Sequence, residues 1–195
     1  MTVKPSGNNF VWYESTLAPY VISGLTAELK NYEENMVESQ VSNGDVPKKL
    51  RNSRNMWIPQ NHWVAGMLSH YVYGANREHW QYDLSYGIDN GMIQYTYYDK
   101  GMHYNWHVDA FVNHKGTDHD KLGYRKLSVT VQLSDPGEYV GGELEFMDAE
   151  QKKWVAPKKK GTVIVFDSRL RHRVTPIVRG TRRSLVGWFN GAAWK

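Results

Sequence analysis

Met92-Ile93-Gln94-Tyr95-Thr96-Tyr97-Tyr98, followed by Asp99-Lys100-Gly101, opens the part of the chain that carries the period of strands. Seven residues rich in aromatic and β-branched types read as one strand, and Asp-Lys-Gly as the turn that ends it. A second strand is expected over Trp106–Val112. It carries His107-Val108-Asp109, and residues i and i+2 of a strand project from one face. One imidazole and one carboxylate would therefore stand side by side.

Toward the C-terminus the same reading gives strands over Lys126–Leu133, Glu143–Met147, Lys153–Ala156, Thr162–Asp167, His172–Thr175 and Ser184–Asn190. Asp135-Pro136-Gly137, Gly141-Gly142, Gly161 and Gly180 supply turns between them. Eight short strands at this spacing predict a mainly β protein with a double-stranded β-helix core, a jelly roll of cupin-like form.

Toward the N-terminus the pattern is helical. Thr16 is expected to cap a helix with Pro19 in its first turn and Tyr20, Ile22, Leu25, Leu29 and Tyr32 on its apolar face. A second helix is expected over His62–Ala75, and Leu50–Ile58 reads as a short strand stopped by Pro59. The organisation expected is a single domain over 1–195, with helical support at 15–85 packed on one sheet and the β core at 91–190.

The chain has 195 residues, 41% hydrophobic and 23% charged, which supports a packed core. There is no cysteine, so disulfides, thiolate nucleophiles and iron–sulfur clusters are excluded. No apolar run reaches the ~20 residues of a membrane span, and Met1–Gly7 lacks the apolar stretch of a signal peptide. A soluble, cytoplasmic protein without membrane attachment is the expectation. The net charge of +4 hides an asymmetry: residues 1–150 hold 12 Lys/Arg against 19 Asp/Glu, and residues 151–195 hold 12 Lys/Arg against Asp167 alone. The basic runs Lys158–Lys160 and Arg169–Arg173 could attract an acidic partner, or simply balance the acidic front.

His172 adds a second imidazole to His107 and Asp109. Two histidines and one carboxylate make a facial triad suited to Fe(II), with coordination positions left open. His62, His70, His79, His114 and His119 lie in helical or loop segments and are not assigned to a metal. Arg182 is expected on the last strand facing the same cavity, where a guanidinium grips a carboxylate. Ser184 shares that face, and Arg183 points the other way. Trp12, Trp57, Trp63, Trp80, Trp154 and Trp194 read as packing residues, and Trp106 as a substrate wall whose face the pattern leaves open.

Tyr98-x-x-Gly101-x-x-Tyr104-x-x-His107-x-Asp109, the stretch Leu133–Leu144 ending in Gly141-Gly142-Glu143-Leu144, His172-x-Val174-x-Pro176-Ile177-x-x-Gly180-x-Arg182 and Ser184–Trp188 follow in order. In these motifs the sequence resembles the Fe(II)- and 2-oxoglutarate-dependent dioxygenases of the prolyl 4-hydroxylase-like branch, which includes the bacterial PKHD-type hydroxylases. The resemblance covers roughly residues 51–188. It implies Fe(II) held by His107, Asp109 and His172, with these three as the catalytic centre. It implies 2-oxoglutarate held by Arg182, with Tyr98, Ser184 and Trp188 around it, O2 as co-reactant, and ascorbate as a reductant by family habit. Arg182, where many eukaryotic members carry Lys, points to the bacterial or oxygen-sensing branch. Asp109 favours hydroxylation, because a related halogenase has a small residue there.

The implied reaction hydroxylates an unactivated C–H bond and releases succinate and CO2, with a prolyl residue in a peptide or protein as substrate. Two other readings stay open: an oxygenase for a free amino acid or another small molecule, and a non-enzymatic cupin-like metal-binding module. A nucleic-acid substrate is disfavoured, since the nucleobase-demethylating branch carries a second arginine where this chain has Trp188. The polar loop at 113–125 would act as a lid, or be an ordinary surface loop.

Overall fold

The structure is a computed structural model and describes residues 9–31, 33–39, 48–110 and 123–192. In chain order the elements are β1 (Phe10–Tyr13), α1 (Pro19–Lys30), β2 (Val37–Glu38), β3 (Arg51–Asn52), β4 (Arg54–Pro59), α2 (Trp63–His79), β5 (Gly87–Ile88), β6 (Met92–Tyr98) and β7 (His103–His107). After these come β8 (Tyr124–Gln132), β9 (Tyr139–Gly141), β10 (Leu144–Met147), β11 (Lys153–Val155), β12 (Val163–Asp167), β13 (Arg171–Val174), β14 (Ile177–Gly180) and β15 (Arg182–Gly191). They form an eight-stranded sheet in the order β1-β12-β8-β15-β6-β4-β2, with β5 beside β15. A five-stranded sheet, β11-β10-β13-β7-β3, faces it, and β9 pairs with β14 as a two-stranded ribbon. All the strand pairs are antiparallel. This is the expected double-stranded β-helix.

Strand alternation divides the large sheet into two differently made faces. Ile93, Tyr95, Leu127, Val129, Val131, Leu185 and Phe189 pack against Leu25, Leu29, Val64, Leu68 and Val72 of the two helices. Burial of this apolar surface fixes the helices on one side, at about 25 cal/mol per Å² removed from water. The opposite face carries Gln94, Thr96, Ser128, Thr130, Gln132, Arg182 and Ser184, all buried polar residues. A buried polar stripe on the inner face of a sandwich costs stability unless it is hydrogen-bonded or serves a site. The rest of the inter-sheet space is apolar, built from Phe10, Phe146, Ile164, Phe166, Val174 and Ile177.

Several local expectations need correction. Thr16 does not cap α1: the N-cap is Ala18, which makes no side-chain cap bond, and the Thr16 hydroxyl instead meets Tyr71 Oη at 3.1 Å. α2 runs past Ala75 to His79, because the polar residues Asn76–Glu78 continue the helix after its apolar face ends. The single strand expected over Leu50–Ile58 is broken at Ser53, and its halves β3 and β4 belong to different sheets. The strand expected over Trp106–Val112 is β7, which ends at His107. Pro176–Gly180 is more than a turn, since Ile177–Gly180 forms β14 against β9. The lid expectation at 113–125 falls largely outside the described residues. Among the described residues, no helix is long and apolar enough to cross a membrane.

Candidate active site

Three elements bring the triad together. β7 ends at His107, which pairs with His172 of β13 in the ladder. Asp109 lies beyond the strand end, in a bend where the carbonyl of Ser168 accepts both the Asp109 and the Ala110 N–H at 2.9 Å. The two residues therefore converge through that bend and not through strand pleating, so the expected pair forms by a different geometry. Candidate ligand atoms of His107, Asp109 and His172 all lie within 4.8 Å of one another. His107 Nε2 is 3.7 Å from Asp109 Oδ1, and His172 Nε2 is 3.5 Å from Asp109 Oδ2.

Each of the three is oriented from behind. His107 Nδ1 lies 2.7 Å from the Asn105 carbonyl, and His172 Nδ1 lies 2.8 Å from the Leu170 carbonyl. A carbonyl only accepts, so Nδ1 carries the proton in both rings and each Nε2 lone pair is left for a metal. Asp109 Oδ2 accepts from Ser128 Oγ at 2.8 Å, and Ser128 Oγ meets Ser168 Oγ at 2.9 Å. Tyr104 stacks on His107 with ring centroids 3.4 Å apart, and the Arg51 guanidinium lies 4.7 Å over Tyr104.

The electrostatics suit a metal. Burial and the facing His172 push the His107 imidazole down to about 3, so the ring is neutral near pH 7. Burial opposes ionisation of Asp109, yet the two imidazoles and the Arg125 guanidinium bring its carboxyl down to about 2. A neutral His107 nitrogen, an anionic Asp109 oxygen and the facing His172 Nε2 make a donor set that fits Fe(II). Burial pushes the Tyr104 phenol up to about 12, so it stays protonated.

The triad opens into a cavity of about 420 Å³. Arg182, Ser184, Val186 and Trp188 line it from β15, as strict alternation requires. Arg182 is only 2% exposed. It donates to Gln132 Oε1 at 3.0 Å and to Ser184 Oγ at 3.3 Å, and its Cζ lies 5.6 Å from the Tyr98 ring centre. Among the described residues no carboxylate lies within ion-pair distance of it. A buried guanidinium without a counter-ion fits a dicarboxylate arriving from solution. Tyr98 also lines the cavity. Arg183 turns to the other face, but not into open solvent: its guanidinium lies 5.3 Å over the Tyr97 ring.

Other lining residues were not singled out in the sequence. Arg51 enters from β3, Arg125 and Thr130 from β8, and Gln94 from β6. Trp57, expected to be packing, stands 43% exposed at the cavity wall with its ring centre 6.2 Å from that of Trp188. Arg125 lies 4.1 Å over the Trp188 ring and donates twice to the buried Asp89 carboxylate. Trp106 is not among the cavity residues. Polar residues alternating with apolar ones on β8, Ser128-Thr130-Gln132 against Leu127-Val129-Val131, were the available signal for a polar interior.

Residues 93–190 match the family model of the 2OG-Fe(II) oxygenase superfamily. A PKHD-type hydroxylase of Synechococcus elongatus is 35% identical over 97 residues, 49% of this chain and 41% of that protein. The chain therefore aligns with less than half the length of that relative. Among solved structures, a Pseudomonas putida prolyl-4-hydroxylase gives a TM-score of 0.69 at 21% identity, covering 95% of this chain and 94% of that one. A Trichoplax adhaerens prolyl hydroxylase, in complex with a hypoxia inducible factor oxygen degradation domain peptide fragment, gives 0.74 at 17% identity, covering 95% and 84%. At these identities the structural likeness is one of fold.

Proposed function

The chain belongs to the 2OG-Fe(II) oxygenase superfamily, and on that premise we propose that it hydroxylates an unactivated C–H bond of a prolyl residue in a peptide or protein. His107, Asp109 and His172 hold Fe(II), and Arg182 holds the distal carboxylate of 2-oxoglutarate. When bound, Fe(II) with 2-oxoglutarate and O2 supplies the oxidising power for C–H hydroxylation, with succinate and CO2 released. The observation that carries this reading is the buried Arg182, without a counter-ion among the described residues, in the same cavity as the triad.

The residues divide the work. Asn105 and Leu170 carbonyls keep Nδ1 of each histidine protonated and aim Nε2 inward. Gln132 and Ser184 hold the guanidinium of Arg182 in place. The apolar walls of Leu144, Phe166 and Val174 restrict water around the cosubstrate. Trp57 and Trp188 form an aromatic wall against which a saturated ring can pack. A half-exposed Trp57 at that wall leaves room for a side chain presented by a longer polypeptide.

The experiment is product mass analysis after aerobic incubation with Fe(II) and 2-oxoglutarate, using proline-containing peptides beside free proline. Gain of one oxygen by a peptide supports the reading. Gain only by the free amino acid replaces it with a small-molecule hydroxylase.

A further inference from the structure

The outer face of the five-stranded sheet carries a cationic cluster that the proposed chemistry leaves unused. Arg171 and Arg173 alternate on β13 with the inward His172 and Val174, and Met147 of β10 stands between Arg171 and Lys153 of β11. The β7 ladder shifts register where Trp106 lies, between Tyr104 and His107. Its indole gathers the three cations: Arg173 Cζ is 4.7 Å from the ring centre, Arg171 Cζ 5.7 Å and Lys153 Nζ 5.9 Å. Arg173 is paired with Glu145 at 2.7 Å. Besides the Trp106 ring, Arg171 reaches Met147 Sδ, at 4.0 Å. Among the described residues neither Arg171 nor Lys153 has a carboxylate within ion-pair distance, and both are exposed.

Glu145 offsets Arg173, and Arg171 and Lys153 leave two positive charges beside one ring without a carboxylate partner among the described residues, which repel each other. An arriving anion relieves that repulsion. We propose that this face docks an acidic, extended segment of the polypeptide substrate, an inference that rests on the hydroxylase reading above. Arg171 and Arg173 are two residues apart on one strand, about 7 Å, the spacing at which an extended chain presents alternate side chains. Trp106 is partly buried with Arg173 over its ring, so it offers no open platform for stacked bases of the kind single-stranded nucleic acid needs. The location is apt as well. β13 and β7 carry the cluster on their outer face and His172, Val174, Tyr104 and His107 of the cavity on their inner face, and β3, the edge strand beyond β7, supplies the cavity residue Arg51.

The test is fluorescence anisotropy of a dye-labelled hexaglutamate peptide with the full chain at about 50 and 300 mM salt. The variants are Lys153→Glu/Arg171→Glu and, with the same charge change on exposed residues elsewhere, Lys159→Glu/Arg179→Glu. A labelled thymidine hexanucleotide serves as the rival polyanion. The expected result is salt-sensitive peptide binding, weakened about tenfold or more by the first pair and less than about twofold by the second. No peptide binding at the lower salt, equal loss in both variants, or tighter binding of the oligonucleotide overturns the proposal. Binding of 2-oxoglutarate with Mn(II) is measured in parallel on the wild type. Its absence counts against the hydroxylase reading alone, while the anisotropy still reports on docking.

Discussion

The Ser128 hydroxyl donates to Asp109 Oδ2 at 2.8 Å while standing 2.9 Å from Ser168 Oγ. Its single proton goes to the carboxylate, so Ser168 is the donor to Ser128. Ser168 also holds the Asp109 bend through its carbonyl, and the chain leads from it to His172. One residue thus ties the carboxylate and the segment carrying the second histidine together.

Ser128→Ala is accordingly expected to weaken Mn(II) or Fe(II) binding by about 10–100-fold, the usual cost of losing an orienting partner behind a metal ligand. Ser128→Thr, which keeps the hydroxyl, is expected to restore most of it. Titration of Mn(II) followed by electron paramagnetic resonance reads the affinity without turnover. Equal affinity in all three proteins would remove the orienting role.

Arg182→Gln removes the only cation hydrogen-bonded to both Gln132 and Ser184 in the described cavity. Breaking one side of a buried charge pair costs about 3–5 kcal/mol, so 2-oxoglutarate affinity is expected to fall by more than about 100-fold. Arg182→Lys recovers part of this, since a single ammonium cannot make a two-pronged contact. Calorimetry with Mn(II) in place of iron measures both.

Gly142 explains why a glycine follows Gly141 in the motif ahead of β10. Its φ is +63°, and a Cβ there would meet Ile177 Cδ1 at 2.5 Å and Arg182 Cδ at 3.1 Å. Gly142→Ala is expected to cost about 1–3 kcal/mol in stability from the backbone conformation. It should also weaken 2-oxoglutarate binding by displacing Arg182, with Mn(II) affinity unchanged. A loss of metal affinity of the same size would contradict this division.

Asp167 gives a pH prediction away from the metal. Burial works to raise its carboxyl, but bonds from Arg169 and Tyr82 outweigh that and hold it below the usual carboxylate value. A depressed folded pKa gives stability that is full above the unfolded value of ~3.9 and lost as pH falls through the folded one. Asp167→Asn is therefore expected to lower Tm at pH 7, with the difference from wild type shrinking below about pH 4. Thermal melts across pH 3–7 check it, and a constant difference would contradict it.

The long strands were legible because period-2 alternation extends over five or more residues, as in β6, whose expected bounds match the structure. The short strands β2, β5 and β9 hold too little alternation to register, whereas the three-residue β11 falls within the expected Lys153–Ala156. His107, Asp109, His172 and Arg182 were visible as residue types in order, but the bend that aims Asp109 depends on the Ser168 carbonyl, a contact 59 residues away in sequence that no local pattern encodes. Trp57 departs from its expected packing role for the same reason: an indole on a strand looks alike whether it meets core or cavity. Arg125 shares its parity with the helix-facing Leu127 and Val129 and reaches the cavity only beyond the register shift opposite Phe189–Asn190, and Arg51 sits on a two-residue strand, so alternation encodes neither.

On the proposed reading the triad and Arg182 form one Fe(II)- and 2-oxoglutarate-dependent centre. The most direct measurement is succinate formation from 2-oxoglutarate after anaerobic loading with Fe(II) and exposure to air, for wild type beside His172→Ala and Arg182→Gln. The prediction is Fe(II)-dependent succinate in wild type, none in His172→Ala, and a strongly raised KM for 2-oxoglutarate in Arg182→Gln. Equal succinate formation in wild type and His172→Ala, or no Fe(II)-dependent binding of 2-oxoglutarate to the wild type, would contradict it.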